Sequence, residues 1–239
     1  MTKVTHVAGG MLISIIGFII LKYNNLLLPD VNEVIQWLII YPFCLWGSTA
    51  PDLDHNKKSI PSKDYASRFI NMLLHIGKPL SDFAEKNIGK SSTLYKIGNA
   101  FNAKHRSIQT HSDLTLWVFV YILHLALNGK IAGLNAIDTI LMTLVITGIC
   151  MGVTAHLILD MLTPDGIYLI VIVVLNKLLH TNILRGGKIH FVPHIHFFAT
   201  GGEWERRVNK ILRVLTYLAL LIVILILISP YAPVTINFS

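Results

Sequence analysis

The chain has 239 residues, of which 53% are apolar and only 14% carry a charge. Ordinary soluble domains contain about 25% charged residues, so this composition excludes a typical soluble protein and indicates a membrane protein. The net charge of +7 would favour a nucleic-acid partner in a soluble protein. In a membrane protein its meaning depends on where the charges lie.

Five stretches of the chain lack Asp, Glu, Lys and Arg, and they predict membrane-spanning helices. They are residues 4–21, 34–51, 114–129, 139–159 and 214–239. A helix needs about 20 apolar residues to cross a bilayer, so the shorter stretch 114–129 is equally consistent with a core or interfacial helix. The predicted fold is an all-α, polytopic membrane bundle of about five spans, forming a single domain over residues 1–239.

Two basic connections predict the orientation of this bundle. Of the 20 Lys and Arg residues, ten lie in residues 57–106 and seven in residues 177–213. Cytoplasmic loops are enriched in these residues, so we expect the N-terminus and both connections to be cytoplasmic and the C-terminus to be external. Residues 56–104 are predicted to form an insertion of cytoplasmic, amphipathic helices, one of them over 81–87. The apolar run 166–175 is too short to cross and predicts a re-entrant or interfacial element.

Eight His and Asp residues fall where the predicted spans meet the cytoplasm. They are His6, Asp52, Asp54, His55, His105, His111, His156 and Asp160. Ionisable residues beside membrane spans are costly and therefore indicate function. Imidazole and carboxylate groups suit Zn²⁺ or Mn²⁺, and the lack of nearby Cys favours a hydrolytic site over a structural zinc. We expect a cage for one to three divalent ions, with Zn²⁺ favoured over Mn²⁺.

The separate motifs leave simpler interpretations open. His156 and Asp160 share a helix face, which suits either a shared metal or an intrahelical hydrogen bond. Residues 51–55 are either a source of ligands or an acidic turn that ends a helix. Arg106 follows His105 and is a candidate clamp for a phosphate group. For Arg106 alone, a solvated basic loop is the simpler explanation.

Two further groups of polar residues lie in the second basic connection. His190, His194 and His196 suit an auxiliary metal site, but a sheltered loop or a contact with lipid headgroups is the simpler interpretation. Glu203 and Glu205 precede the last span, where carboxylates oppose the helix dipole favourably. A ligand or general-base role for either glutamate is the less favoured alternative.

Taken in order, these motifs resemble those of a known family. The similar segments are residues 47–55, His105-Arg106 with Thr110-His111-Ser112, and residues 156–160 with Thr163-Pro164. They resemble the bacterial LexA-regulated, inner-membrane-associated metal-dependent hydrolases over nearly the whole chain. The resemblance implies a multi-pass protein of the bacterial inner membrane with a hydrolytic metal site.

A more remote resemblance links residues 156–160 and Thr163-Pro164 to the zinc-dependent phospholipase C and single-strand nuclease superfamily. Those enzymes hold zinc ions with His and Asp ligands and hydrolyse phosphodiesters. The resemblance implies that His6, Asp52, His55, His105, His111, His156 and Asp160 are metal ligands. It implies Asp54 as a ligand or general base.

The function expected from the sequence is hydrolysis of a phosphoester in a lipid or lipid-linked substrate. Arg106 would hold the phosphoryl oxygens, and membrane lipids are the expected partners in preference to nucleic acid. The alternatives are a non-catalytic membrane protein with a structural metal, and a metal or ion transporter. A transporter needs ionisable residues along its path, whereas the outer halves of the spans contain little beyond His124 and Asp138.

Overall fold

The computed structural model describes residues 2–54, 78–100, 112–131, 133–163, 166–181, 188–189 and 202–228. These residues form eight α-helices, one 3-10 helix and a two-stranded sheet. In chain order the elements are α1 (Lys3–Tyr23), α2 (Glu33–Gly47), the 3-10 helix η1 (Ala50–Asp54), α3 (Lys78–Asn87), α4 (Thr93–Ala100), α5 (Asp113–Leu127), α6 (Ala136–Met161), β1 (Ile167–Tyr168), α7 (Ile170–Leu178), β2 (Lys188–Ile189) and α8 (Glu203–Ile228). The predicted all-α membrane fold is confirmed.

Three of the helices, α1, α6 and α8, are long and apolar enough to cross a membrane. Helices α2 and α5 coincide with the other two predicted spans, but each has only 15 residues. At a rise of 1.5 Å per residue, each is about 22 Å long, short of the ~30 Å hydrocarbon core. Length therefore supports three spans, and crossing by α2 and α5 stays a prediction.

Side-chain caps set the start of several helices. The side chains of Asn32, Ser112 and Asn135 accept hydrogen bonds from backbone N–H groups in the first turns of α2, α5 and α6. Such caps satisfy amides that have no partner within the helix. Hydrogen bonds between residues close in sequence therefore define the first turns of these helices, without tertiary contacts.

The long helices pack around α1 and α6. Helix α6 packs against α1, α2 and α5, and α1 also packs against α2 and α8. Ile15 and Phe18 of α1 form one core cluster with Ala219 and Val223 of α8. A second cluster joins α6 to β1 and α5. This packing brings the N-termini of α1 and α8 and the C-termini of α2 and α6 to one end of the bundle.

Glycines allow α2 and α6 to approach closely. A Cβ atom at Gly152 would lie 2.1 Å from the carbonyl oxygen of Cys44, and one at Gly148 would lie 2.5 Å from that of Ile40. Both contacts are with backbone atoms, which cannot move aside as a side chain does. Only glycine fits at these two positions, as is common where membrane helices touch.

Two of the shorter predicted elements differ in detail from the structure. The helix expected over residues 81–87 ends as predicted but begins three residues earlier, at Lys78. Pro79 falls in its first turn, where the missing N–H costs no helical hydrogen bond. The run 166–175 forms β1 and then α7, and no residue of α7 is buried. β1 pairs antiparallel with β2.

Candidate metal centre

Four of the predicted ligands meet at one end of the bundle. His6 comes from α1, Asp52 from η1, and His156 and Asp160 from the last turns of α6. His6 Nε2 lies 3.5 Å from Asp160 Oδ1 and 3.9 Å from Asp52 Oδ2. His156 Nε2 lies 3.2 Å from Asp160 Oδ2 and 3.9 Å from Asp52 Oδ1. Two imidazole nitrogens therefore face two carboxylates.

This cluster is enclosed on one side and open at Asp52. The rings of His6 and His156 stack with centroids 3.9 Å apart and planes 15° apart. Both rings and Asp160 are buried, whereas the Asp52 side chain is 27% exposed. A divalent cation would balance the two negative charges.

The backbone of α2 orients His156. Its Nδ1 atom lies 2.8 Å from the carbonyl oxygen of Ser48. A carbonyl oxygen only accepts hydrogen bonds, so Nδ1 is the donor to Ser48 and Nε2 is the nitrogen that faces the carboxylates. Histidines that bind metals commonly donate the other ring N–H to a carbonyl in this way.

His6 has the more unusual environment. Within the described part of the chain, neither of its ring nitrogens has a hydrogen-bond partner, although the side chain is fully buried. A buried polar atom without a partner is costly. A ligand bound at Nε2 would remove this cost at one of the two nitrogens.

The spacing of these atoms fits a zinc ion. One ligand atom from each of His6, Asp52 and His156 lies within 4.8 Å of the other two. Zinc bonds of ~2.0–2.1 Å in a tetrahedral arrangement separate the donor atoms by about 3.3 Å. The separations between imidazole nitrogens and carboxylate oxygens, 3.2 to 3.9 Å, lie near or somewhat above that value, and each histidine faces a different oxygen of each carboxylate. The three side chains form a candidate metal triad, and Asp160 is a fourth ligand candidate.

The sequence model of the YdjM inner membrane protein family matches residues 1–232. The chain belongs to this family. Searches of curated proteins and of solved structures found no match. The family description agrees with the three candidate spans, so the membrane association expected from the sequence is confirmed.

Backbone and hydroxyl contacts hold Asp160 in this YdjM-family chain. The carbonyl oxygen of Asp160 accepts hydrogen bonds from the Thr163 hydroxyl at 2.8 Å and from the Thr163 N–H at 2.9 Å. Thr163 is itself buried. It closes the C-terminus of α6 directly beyond its last ligand, which gives the threonine of the Thr163-Pro164 motif a positioning role.

Glu205, for which the sequence predicts an interaction with the helix dipole, is buried and holds the start of α1. Glu205 Oε1 accepts hydrogen bonds from the Thr2 N–H, from the Thr2 hydroxyl at 2.7 Å and from the Thr5 hydroxyl at 2.8 Å. Glu203 is exposed and pairs with Arg207 at 2.6 Å. The two glutamates therefore differ in role, and Glu205 ties α8 to the residue that precedes His6.

Several of the predicted site residues lie outside the described part of the chain. These are His55, His105, Arg106 and His111, together with His190, His194 and His196. Asp54 ends η1, but its side chain is also outside the described part. Ser112, which follows His111, is buried and forms an isolated parallel β-bridge with Tyr168 of β1. The roles of the undescribed residues stay predictions for this YdjM-family chain.

Proposed function

We propose that this chain is a metal-dependent hydrolase that cleaves a phosphoester in a lipid or lipid-linked substrate at the cytoplasmic face of the inner membrane. The observation that carries the proposal is the convergence of two imidazole nitrogens and two carboxylates, with separations of 3.2 to 3.9 Å. Nitrogen and oxygen donors without cysteine are typical of catalytic zinc sites. Zn²⁺ is therefore favoured over Mn²⁺.

The residues of the cluster have different roles in the proposed site. A bound zinc ion makes water a nucleophile near neutral pH and stabilises charge on a phosphoryl group. His156 is held by Ser48 and Asp160 by Thr163, so these two ligands are preorganised. Asp52 is the partly exposed member, and we assign it to the side from which substrate enters.

Residues that flank the cluster in sequence complete the proposal. We assign Asp54 as general base or further ligand and Arg106 as the clamp for the non-bridging oxygens. His55, His105 and His111 would supply ligands for additional ions. A lipid substrate is favoured because the centre lies at the end of helices suited to a membrane, where phosphate headgroups are found.

Metal content tests the first half of this proposal. We expect protein purified in detergent without chelators to contain at least one zinc per chain by mass spectrometry, and His156→Ala and Asp160→Asn to lose most of it. His124→Ala and Asp138→Asn are matched controls, because both residues are exposed and lie away from the cluster. Wild-type protein that binds no divalent ion would overturn the metal site.

Activity tests the second half. We expect wild type to hydrolyse a bis-aryl phosphodiester to a phenol and an aryl phosphate, and phospholipid in micelles to an alcohol and a phosphomonoester. Both ligand variants should lose at least ~100-fold in kcat/KM, while the two controls keep it. Single-stranded DNA in the same panel tests the nuclease alternative. Bound zinc without turnover on any of these substrates would instead support a structural metal site.

A further inference from the structure

A groove between α1 and α8 is separate from the metal centre. Two cavities of about 440 and 430 Å³ follow each other along these helices, and Val4 and Arg213 line both. His6 faces α6, whereas the groove runs along the other side of α1, past Val7 and Met11. In the described part of the chain, none of the residues that line the groove is a ligand candidate of the metal centre.

The first cavity is strongly cationic. Arg206, Lys210 and Arg213 line it, and Lys3 lines the adjoining one. All four side chains are exposed, and among the described residues none of them has an ion-pair partner. The single carboxylate of the lining, Glu205, is buried and accepts hydrogen bonds from Thr2 and Thr5. The groove therefore has an excess of three positive charges.

The second cavity is apolar at its far end. It is lined there by Val7, Ala8 and Met11 of α1 and by Thr216 and Tyr217 of α8. Beyond it α8 exposes a run of aliphatic side chains, including Leu218, Leu221, Ile222 and Leu225, each at least half exposed. In a membrane protein such side chains face the hydrocarbon core. The groove therefore passes from cationic to apolar in the direction in which a lipid passes from headgroup to acyl chain.

From this arrangement we propose that the groove binds one anionic phospholipid, with its phosphate against Arg206 and Lys210 and an acyl chain along Met11 and Tyr217. Basic pockets between membrane helices are suited to anionic headgroups. A nucleic acid would leave the apolar half unfilled, and an acidic peptide would have to enter from within the bilayer. The proposal does not depend on hydrolytic activity.

Lipid selectivity of the purified full chain tests the proposal. Phosphatidylglycerol and phosphatidylcholine with identical acyl chains are titrated separately onto detergent-solubilised protein, and bound lipid is counted by native mass spectrometry. We expect wild type to retain one phosphatidylglycerol at concentrations roughly tenfold below those needed for phosphatidylcholine. Equal retention of the two lipids would overturn the proposal.

Charge variants of α8 locate the binding site. Arg206→Gln with Lys210→Gln should abolish the preference for phosphatidylglycerol, whereas Arg207→Gln should keep it, because Arg207 pairs with Glu203 instead of lining the groove.

Val4→Trp should weaken binding of both lipids, since Val4 is exposed and lines both cavities. Zinc content should be unchanged in all three, which separates this result from the fate of the metal site. Unchanged selectivity for phosphatidylglycerol in the double variant would contradict the lipid site. So would a double variant that loses no bound lipid but changes its oligomeric state.

Discussion

At the scale of single residues, the proposed metal ligands are positioned by neighbours that are not themselves ligand candidates. The Ser48 carbonyl orients the ring of His156, and Thr163 holds the backbone of Asp160. His6 has no such hydrogen bond among the described residues. Its position follows from the backbone of α1, whose first turn is held by Glu205 through Thr2 and Thr5.

Glu205→Ala is therefore expected to destabilise the protein and to weaken metal binding. The substitution leaves the donors of Thr2 and Thr5 without their acceptor, and a buried donor without a partner costs ~1–3 kcal/mol. Glu203→Ala is the matched control on the same helix, because an exposed ion pair contributes well under ~1 kcal/mol. The measurements are the melting temperature in detergent and the zinc content.

A third variant separates the hydrogen bonds of Glu205 from its charge. Glu205→Gln keeps an accepting oxygen and should retain most of the stability that Glu205→Ala loses. If Glu203→Ala and Glu205→Ala lowered the melting temperature equally, the helix dipole would explain both residues and the role assigned to Glu205 would be wrong.

At the scale of elements, one face of α6 carries both the glycines that pack against α2 and two of the proposed metal ligands. Gly148, Gly152, His156 and Asp160 recur every four residues, so they line one side of the helix. The two glycines admit the backbone of α2, and the two ligands follow at the C-terminal end. The distance between His156 and Ser48 therefore depends on how closely α2 approaches α6.

Gly152→Ala should disturb the metal centre without altering any ligand. The new Cβ atom would lie 2.1 Å from the Cys44 carbonyl oxygen and 2.5 Å from the Ser48 N–H nitrogen. Both are backbone atoms, so α2 must move away and carry Ser48 with it. We expect a fall of several degrees in the melting temperature and weaker zinc retention.

Gly17→Ala is the control for this substitution, because its Cβ atom would meet only the Met151 side chain, at 2.7 Å. Methionine is flexible and can rearrange, so we expect a small loss of stability and full zinc retention. Normal zinc binding in Gly152→Ala would show that the centre tolerates a shift of α2.

The positions of the helices could be predicted from sequence because a membrane requires every backbone group to be bonded within the helix. Residues 4–21 and 139–159, identified by their lack of charge, fall within α1 and α6. Other features could not be predicted. The charge pattern shows where α8 begins but not which side faces α1, so Glu205 and Glu203 appear equivalent. The four-residue spacing of Gly148 and Gly152 is typical of close helix packing, but the spacing alone does not identify α2 as the partner of α6.

At the scale of the whole molecule, the alternating directions of the helices bring the candidate ligands to one end of the bundle. Helices α1 and α8 start at the end of the bundle where α2 and α6 finish, so residues far apart in sequence meet there. His124 and Asp138, the ionisable residues near the other ends of α5 and α6, are exposed. Among the described residues these two add no ionisable group to the interior of the bundle, and the preference for a hydrolase over a transporter stays a prediction.

The orientation of the bundle is the last prediction. The charge distribution predicts that the proposed metal centre and residues 56–104 are cytoplasmic and that the connection between α5 and α6 is external. In intact spheroplasts, a membrane-impermeant maleimide should label Lys130→Cys and leave Lys90→Cys unlabelled. Both should react after lysis, because both side chains lie outside the long helices.

Wild type serves as the blank in this experiment, since Cys44 is fully buried and Cys150 is half-buried within α6. Labelling of Lys90→Cys but not Lys130→Cys in intact spheroplasts would place the metal centre on the external side. A site in that position would meet phosphoesters of the outer leaflet. The substrate assigned to the inner leaflet would then be wrong, whereas the metal ligands and the lipid groove would be unaffected.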